Sequence, residues 1–466
     1  MSNKKIMLIY PPPPAGDVYM RGEDRCQINV DASACNSMRA CNDLGYLSSG
    51  LKKKGFNTFL KDYQGENHTN QDLFVDIKNY QPDVIFISTT NGSYYYDLKL
   101  ISEIKQLYPN IIFILKGAIF FNIEFEFFEE ADLSDIDYLV GGECEFIVPK
   151  LVYAIFFDEK EIEKIEGICY KKDGKWHQNK LINFDENLDD LPFPDRSAMN
   201  NNLYINPDTN KPLATIATSR GCPFNCIYCL SPVISGKKVR KRSTNNVLDE
   251  LKDCYFNHNI DNFFFKADTF TADKEWCIDL CKKIINSELN GKISWVANSR
   301  VNTIDEEIII LMKQAGCNLI AFGFESGSEE SLKLMKKNTT LEMNLTAAKL
   351  CKKHGMKMFG HFLIGLPWES AKHMADTKKH IFEIDADYIE VSVAIPFLHT
   401  ELFNLIEHDK PEKVNEIKVL GRDSFKNTLS STKYLSAEEV QFFRKDILKS
   451  FYFRPSYILK KLLIKN

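Results

Sequence analysis

Short, nearly continuous apolar runs alternate with amphipathic stretches along most of this chain, and that alternation constrains the fold most tightly. In the first third, "KKIMLIY" is stopped by prolines 11–14, and "NDLGYLSSGLKKKG" has helical spacing with Gly55 as its stop. "FNTFLKDY", "DVIFIST", "NIIFILKG" and "DYLVGG" follow as further strands, separated by stretches such as 97–107 with helical periodicity. Continuous apolar strands interleaved with helices predict a parallel sheet covered on both faces. Such sheets bind ligands in loops at the carboxyl ends of their strands. The candidate loops are 88–93, 116–119 and 141–145. Their glycines equally suit plain tight turns.

The pattern weakens over 159–210, where "DENLDDLPFPDRSAMNNN" is acidic, proline-punctuated and then Asn-rich, as in an interdomain linker. A second series follows, with strands expected at 213–219, 262–266, 293–298, 319–324, 358–364 and 388–395, and helices such as 306–314 and 341–354. Six strand–helix units predict a partial (β/α)6 barrel of the TIM type, with its chemistry at the C-terminal face. "SAEEVQFFRKDILKSF" reads as a helix capped by Ser436. The fold class is therefore α/β. A Rossmann-like, flavodoxin-like sheet domain (1–158) and a linker (159–210) precede the barrel (211–400) and a helical C-terminal region (401–466).

Composition narrows the function classes. With 466 residues, 44% hydrophobic and 26% charged, the chain has ordinary globular make-up. A formal net charge of -5 gives no broad electrostatic footprint for nucleic acid. The apolar run 6–14 ends in prolines, and no run reaches the roughly 18 residues of a transmembrane helix. A cytoplasmic protein with reduced thiols is expected. The 13 cysteines are odd in number and scattered, unlike a disulfide framework. The C-terminal "FYFRPSYILKKLLIKN" suits helices packing on the barrel, with membrane-surface attachment as the alternative.

Three cysteines crowd one loop, "TSRGCPFNCIYCLSP", with spacing C-x3-C-x2-C at Cys222, Cys226 and Cys229. Structural zinc wants four protein ligands, and the next cysteine, Cys254, lies in a helical stretch. A redox pair of Cys226 and Cys229 leaves Cys222 without a role. An iron–sulfur cluster held by three cysteines would keep one iron open to a substrate or cofactor. Zinc, a redox pair, buried structural thiols and a cluster are the readings the spacing allows.

"CPFNCIYC", directly after a strand that opens a βα series, resembles the radical S-adenosylmethionine enzymes. The resemblance implies a 4Fe–4S cluster on Cys222, Cys226 and Cys229, whose open iron takes the amino and carboxylate groups of S-adenosylmethionine. Cleavage of the sulfonium then gives a 5′-deoxyadenosyl radical. By the same resemblance Tyr228 packs near the adenine. Asp268 in "FFFKADTF" meets the methionine ammonium, with Ala267 where the family often has a second acid. Arg300 in "WVANSRV" is implied to pair with the methionine carboxylate, and Glu325 and Ser326 in "AFGFESGS" to meet the ribose or methionine. Gly365 belongs to "HFLIGLPWES", which resembles the strand end lying along the adenine. Without the cysteine loop, Arg300 and Glu325 would read as ion-paired rim residues.

A parallel-sheet domain ahead of such a barrel resembles the cobalamin-binding subgroup of this family. "GYLSSGLKKKGF", "ISTTNG" and "DYLVGGECEFIVPKLV" carry that likeness. It implies cobalamin contacts from Ser88, Thr89, Gly117, Gly142 and Glu143. The D-x-H-x-x-G motif of many cobalamin domains is missing from "PPPPAGDVYMRGEDRCQ", and the first histidine is His68. A corrin here should therefore lack a histidine ligand from that motif. Cys26, Cys35 and Cys41 follow in the next loop, as buried thiols or as substrate or cofactor contacts.

The resemblance implies a methyltransferase acting on an unactivated carbon of a small-molecule, natural-product or lipid substrate. Its electrons would come from a donor such as flavodoxin or ferredoxin. The alternatives are a cobalamin-binding radical enzyme that cyclises, contracts a ring or rearranges without methyl transfer, and a non-catalytic corrinoid or iron–sulfur carrier. The sixth-strand end "AIPFLHTELF" and the C-terminal helices are expected to shape the substrate pocket.

Overall fold

A computed structural model gives the fold and describes residues 3–14, 17–19, 21, 29–31, 40–123, 132–184, 186–409 and 431–464. Cys26 and Cys35 lie outside them. The described chain forms two compact units, one from residues 1–216 and 230–262, the other from 217–229, 263–409 and 431–464.

The first unit contains strands β1 (Lys5–Tyr10), β2 (Asp17–Tyr19), β3 (Asn29–Asp31), β4 (Asn57–Asp62), β5 (Val84–Ser88), β6 (Ile112–Lys116), β7 (Tyr138–Val140), β8 (Ile168–Lys172) and β9 (Lys175–Gln178). Its first four helices are α1 (Asn42–Lys53), α2 (Asn70–Tyr80), α3 (Tyr94–Leu107) and α4 (Cys144–Phe157). The main sheet has the order β4-β1-β5-β6-β7-β8-β9, and its strands pair in parallel from β4 to β7. Successive strand residues enter opposite cores. Ile6, Leu8, Val84 and Phe86 pack with Leu44, Leu47 and Leu51 of α1 and Val148, Leu151 and Val152 of α4. Met7, Ile9, Ile85 and Ile87 pack with Leu73 and Ile77 of α2 and Ile101 and Ile104 of α3. Each such side chain, taken fully out of water, contributes about 1.5–3 kcal/mol. That is why these strands read as unbroken apolar runs.

Within the stretch read as a linker, β8 and β9 form an antiparallel hairpin that extends this sheet past β7. Its outer strand has the exposure pattern of Lys175, His177 and Gln178 around half-buried Trp176, which the sequence shows as a weak period rather than an apolar run.

The remaining strands are β10 (Ile205–Asn206), β11 (Lys211–Ala217), β12 (Ser219–Arg220), β13 (Arg240–Lys241), β14 (Asn262–Lys266), β15 (Ser294–Ser299), β16 (Cys317–Glu325), β17 (Lys357–Ile364) and β18 (Tyr388–Val393). The helices among and after them are α5 (Ser231–Ile234), α6 (Thr244–His258), α7 (Lys274–Ile285), α8 (Glu306–Gln314), α9 (Glu329–Leu334), α10 (Leu341–Lys353), α11 (Ala371–Ile384), α12 (Glu401–Asp409), α13 (Ala437–Tyr452) and α14 (Pro455–Ile464). The second seven-stranded sheet, in the order β10-β11-β14-β15-β16-β17-β18, curls into a half-barrel. Its strands β15 to β18 pair in parallel.

Here burial alternates. Met358, Phe362, Phe322 and Phe324 are buried under helices that include α8 and α10. Val296, Asn298, Ala321, Phe359, His361, Tyr388 and Glu390 point to the other, concave face and stay half-exposed. β18 ends the sheet, and the C-terminal helices cover its free edge. Tyr452 bonds both the N–H and the C=O of Ile389, Arg444 Nε donates to Val391 O, and Tyr457 Oη donates to Asp387 O. An edge closed in this way offers little backbone for pairing with another strand. No helix among the described residues is long and apolar enough to cross a membrane.

Candidate functional site

The cysteine loop starts at Gly221, whose N–H donates to Asp268 Oδ2 at 2.7 Å. Asp268 follows β14, so the carboxylate at that strand's end fixes the residue before Cys222. The loop's other anchor is apolar. Ile227 is 3% exposed and packs with Met335, Leu363, Leu366 and Leu402. Its N–H donates to Met335 O, and its carbonyl accepts from the Leu402 N–H. With Ile227 turned inward, its neighbours Cys226 and Tyr228 stay half-buried, Tyr228 packing against the same cluster.

Arg300 comes directly after β15 and is 6% exposed. Its guanidinium stacks 3.8 Å from the centre of the Phe224 ring, and Nη1 lies 3.4 Å from Cys226 Sγ. Nη2 donates to Lys337 O, and Nε to Asn302 Oδ1. A planar cation therefore sits against the loop with no carboxylate among these partners, which a rim ion pair would require.

Glu325 ends β16 with φ +63°, in the left-handed region that a non-glycine residue enters at a cost of about 1–2 kcal/mol. A register shift between Gly323 and Glu325 accompanies it. Lys337 Nζ lies 2.6 Å from Glu325 Oε1, both side chains being nearly buried, and the Tyr228 hydroxyl also donates to this carboxylate. Burial works against the Glu325 charge, but Lys337 and Tyr228 hold its carboxyl below the ordinary value. Burial first, and then the Glu325 charge, push the Tyr228 phenol well above its ordinary range. Gly323 makes room for the pair: a Cβ there would stand 2.4 Å from Glu325 Oε1 and 2.7 Å from Lys337 Nζ.

Ser326 is fully buried, with Oγ 3.2 Å from Thr377 Oγ1 and accepting from the Ser328 N–H. Gly365, at φ +83°, donates its N–H to Glu369 Oε2 at 2.8 Å. Glu369 also accepts from the Leu366 N–H and the Ser331 hydroxyl. It is fully buried, and burial raises its carboxyl. The strand-end residues thus gather around the loop through Asp268, Arg300, Tyr228 and Glu325, while Ser326 and Gly365 serve turns.

Sequence reasoning missed Phe224, Lys337 and Glu369. Glu369 carried a usable signal: an acid four residues after a glycine at a strand end can accept the freed turn amides. Lys337 sits in "LMKKNTT" among ordinary surface-type residues, and nothing local marks it.

The three thiols can be tested for the cluster they suggest. Burial pushes the Cys222 thiol up to about 11, and Asp268, Cys229 and Cys226 add to the rise. Three thiolates at this spot would need a strongly positive group among them, as an iron cluster provides. No three His, Cys, Asp or Glu side chains among the described residues converge on a single metal ion. A cubane distributes its ligands over separate irons, so the donor set fits a cluster better than zinc.

In the first unit, Ser88 ends β5 and Thr89 follows it. Thr89 Oγ1 lies 2.5 Å from Asp97 Oδ2, and Asp97 is paired at both oxygens with Arg21. Ser88 Oγ and Asn91 Oδ1 are buried without a hydrogen-bond partner among the described residues. Gly117 lies against Thr89, and Gly142 against Ile147 and Ile182. Both Glu143 oxygens accept from Arg240, at 2.9 and 2.5 Å. Cys41 is fully buried, 3.1 Å from the Tyr204 hydroxyl.

Known proteins resemble this chain over most of its length. A model of the Radical SAM superfamily matches residues 216–381. An uncharacterized methyltransferase of Pyrococcus horikoshii is 30% identical over 423 residues, covering 90% of this chain and 89% of that protein. The anaerobic magnesium-protoporphyrin IX monomethyl ester cyclase of Rubrivivax gelatinosus is 26% identical over 368 residues, 77% of this chain and 65% of that one. Among solved structures, the radical S-adenosylmethionine methyltransferase TsrM from Kitasatospora setae, with cobalamin and a 4Fe–4S cluster bound, superposes with a TM-score of 0.69. That match is 16% identical and covers 88% of this chain and 78% of that one. The chain belongs to the radical SAM superfamily of enzymes.

Proposed function

We propose that this protein is a cobalamin-dependent radical S-adenosylmethionine methyltransferase acting on a carbon of a small molecule. The observation that carries the reading is the loop of Cys222, Cys226 and Cys229, braced by Asp268 at Gly221 and by Arg300 at Cys226. The cluster, when bound, supplies the electron that cleaves S-adenosylmethionine, and the corrin supplies a carrier for the methyl group.

The chain's own residues bind and orient. Cys222, Cys226 and Cys229 would hold the cluster. Arg300, a planar fork already beside the loop, takes the methionine carboxylate, for which bidentate geometry suits it. Asp268 uses Oδ2 to keep the loop in place and lies next to the methionine ammonium. Tyr228 is locked to Glu325 and presents its ring towards the adenine. Ser326, Gly365 and Glu369 keep the strand-end turns rigid. In the first unit, the unpartnered Ser88 Oγ and Asn91 Oδ1 suit contacts with a polar corrin. Thr89 and Glu143 are spent on Asp97 and Arg240, so they would shape this site through their neighbours. Gly117 and Gly142 leave the strand ends low.

The methyl-transfer reading is supported by the named activities of the Pyrococcus protein and TsrM, while the Rubrivivax cyclase supports ring formation as the rival outcome. The test is reduced holoprotein given S-adenosylmethionine with a deuterated methyl group, followed by mass spectrometry. Label on the corrin and then on a product is expected. Accumulation of 5′-deoxyadenosine with no label leaving S-adenosylmethionine would favour cyclisation or rearrangement, and no turnover at all would favour a carrier.

A further inference from the structure

The concave face of the half-barrel holds a polar pair that neither the cysteine loop nor the strand ends use. The register sets Gly323, His361 and Glu390 side by side on β16, β17 and β18. Ala321, Phe359 and Tyr388 form the next layer down. His361 Nδ1 lies 3.1 Å from Glu390 Oε2. An ionised carboxylate can only accept, so the proton belongs on Nδ1 and Nε2 carries the lone pair.

The two side chains keep 43% and 41% of their surface, whereas Met358 and Phe362 on the opposite face of β17 are buried. A His–Glu pair that merely satisfied the core would not stay this open. The groups around it are few and definable. Ser392 Oγ is 3.5 Å from the other Glu390 oxygen, and Arg444 of α13 acts on the same carboxylate. Burial opposes the Glu390 charge, yet His361 and Arg444 hold its carboxyl below the ordinary value. On the β16 side stands Glu325, within electrostatic reach of His361 but already paired with Lys337. Beneath, the Phe359 ring is 4.8 Å from the imidazole and stacks at 6.3 Å on Tyr388. With Ala321 beside it, that layer is mostly aromatic and apolar.

The geometry points to His361 and Glu390 as the pair that reads the substrate, for a substrate with a planar apolar body bearing an O–H or N–H group. This rests on the concave face being the reaction chamber of the proposed enzyme. The body lies on Phe359 and Tyr388, and its O–H or N–H donates to His361 Nε2. His361 can also take that proton: the substrate's O–H or N–H bond breaks, an N–H bond forms at Nε2, and the electron pair stays on the substrate heteroatom. Glu390 stays ionised and stabilises the resulting imidazolium, and His361 returns to its starting state when the proton goes back. Glu390 acts through His361 and is a positioning residue.

Phenol and anisole are suitable probes, since they share a ring and differ in the donor. Saturation-transfer NMR on the holoprotein should show phenol binding more tightly by about two- to tenfold, the worth of one hydrogen bond. His361→Ala should erase that preference. Glu390→Leu should reduce it, which a purely structural role would not do, and should move the imidazole nitrogen-15 shifts away from the Nδ1–H tautomer. Equal binding of the two probes, a preference that survives His361→Ala, or no saturable binding of either overturns the inference. Formation of 5′-deoxyadenosine by the reduced wild-type protein is measured alongside. Its absence overturns the enzyme reading instead, so the two failures are told apart.

Discussion

In β5 every residue from Val84 to Ser88 is buried, whereas in β15 burial alternates residue by residue from Ser294 to Ser299. Both strands belong to parallel pairings, so strand direction does not explain the difference. What differs is cover. Among the described residues, helices close both faces of the first sheet and the convex face of the second. The polar groups follow the same division. At the carboxyl end of β5, Arg21, Asp97, Thr89 and Ser93 are spent on one another. At the ends of β14 to β16, Asp268, Arg300 and Glu325 converge on a loop of cysteines. A parallel sheet with one open face has room for chemistry along its strands as well as at their ends.

If the Arg21–Asp97 pair is a structural element of the first unit, its loss should be costly. Both side chains have no exposed surface. Asp97→Ala leaves a buried guanidinium unpaired and should destabilise the unit by about 3–5 kcal/mol, read as a lowered denaturation midpoint. A change under about 1 kcal/mol would mean that water reaches Arg21 and that the first sheet is less closed than described.

The same unit should show an unusual acid response. Burial raises the Asp62 carboxyl to about 6, from an ordinary 3.8, and the Gly65 N–H, the Tyr204 hydroxyl and Arg21 only partly offset the rise. A carboxyl with a raised folded value binds its proton more tightly in the native than in the unfolded state. Ionised Asp62 therefore costs the fold about 3 kcal/mol above pH 6, a cost relieved as the pH falls from about 6 towards 4. Amide protection factors in β1 and β4, corrected for the intrinsic pH dependence of exchange, should rise across that window, and Asp62→Asn should flatten the response.

A smaller effect probes the second unit. Gly323→Ala would push a Cβ onto the Glu325–Lys337 pair, at a position whose backbone is not left-handed. Overpacking there should cost about 1–3 kcal/mol in thermal unfolding and release Tyr228 from Glu325, visible as a lower phenol titration. An unchanged Tyr228 titration would show that the pair can move aside.

Much of this was legible in the sequence because period and cover are linked. The runs of β1, β5 and β6 announce a two-sided core, and those of β15 to β18 lie where the alternation places them. β16 begins at Cys317, two residues before the expected start, since polar Asn318 interrupts its apolar pattern without ending its pairing. The cysteine loop was readable because its spacing is local. Contacts that join distant residues were not. Glu143 meets Arg240 across 97 positions, and Arg300 meets Cys226 across 74. Only the fold brings them together. The β8–β9 hairpin was hidden for a different reason: as an edge strand, β9 buries little and carries few apolar residues.

Cys222, Cys226 and Cys229, and no other cysteines, hold the cluster in this account. Anaerobic reconstitution with iron and sulfide, followed by iron analysis and visible absorbance, tests it most directly. The wild-type protein and a Cys277→Ala, Cys281→Ala variant, altered at two buried thiols of α7, should each retain about four irons and thiolate-to-iron absorbance. Replacement of Cys222, Cys226 and Cys229 by alanine should remove both signals. Retention of about four irons by that triple variant would contradict the account.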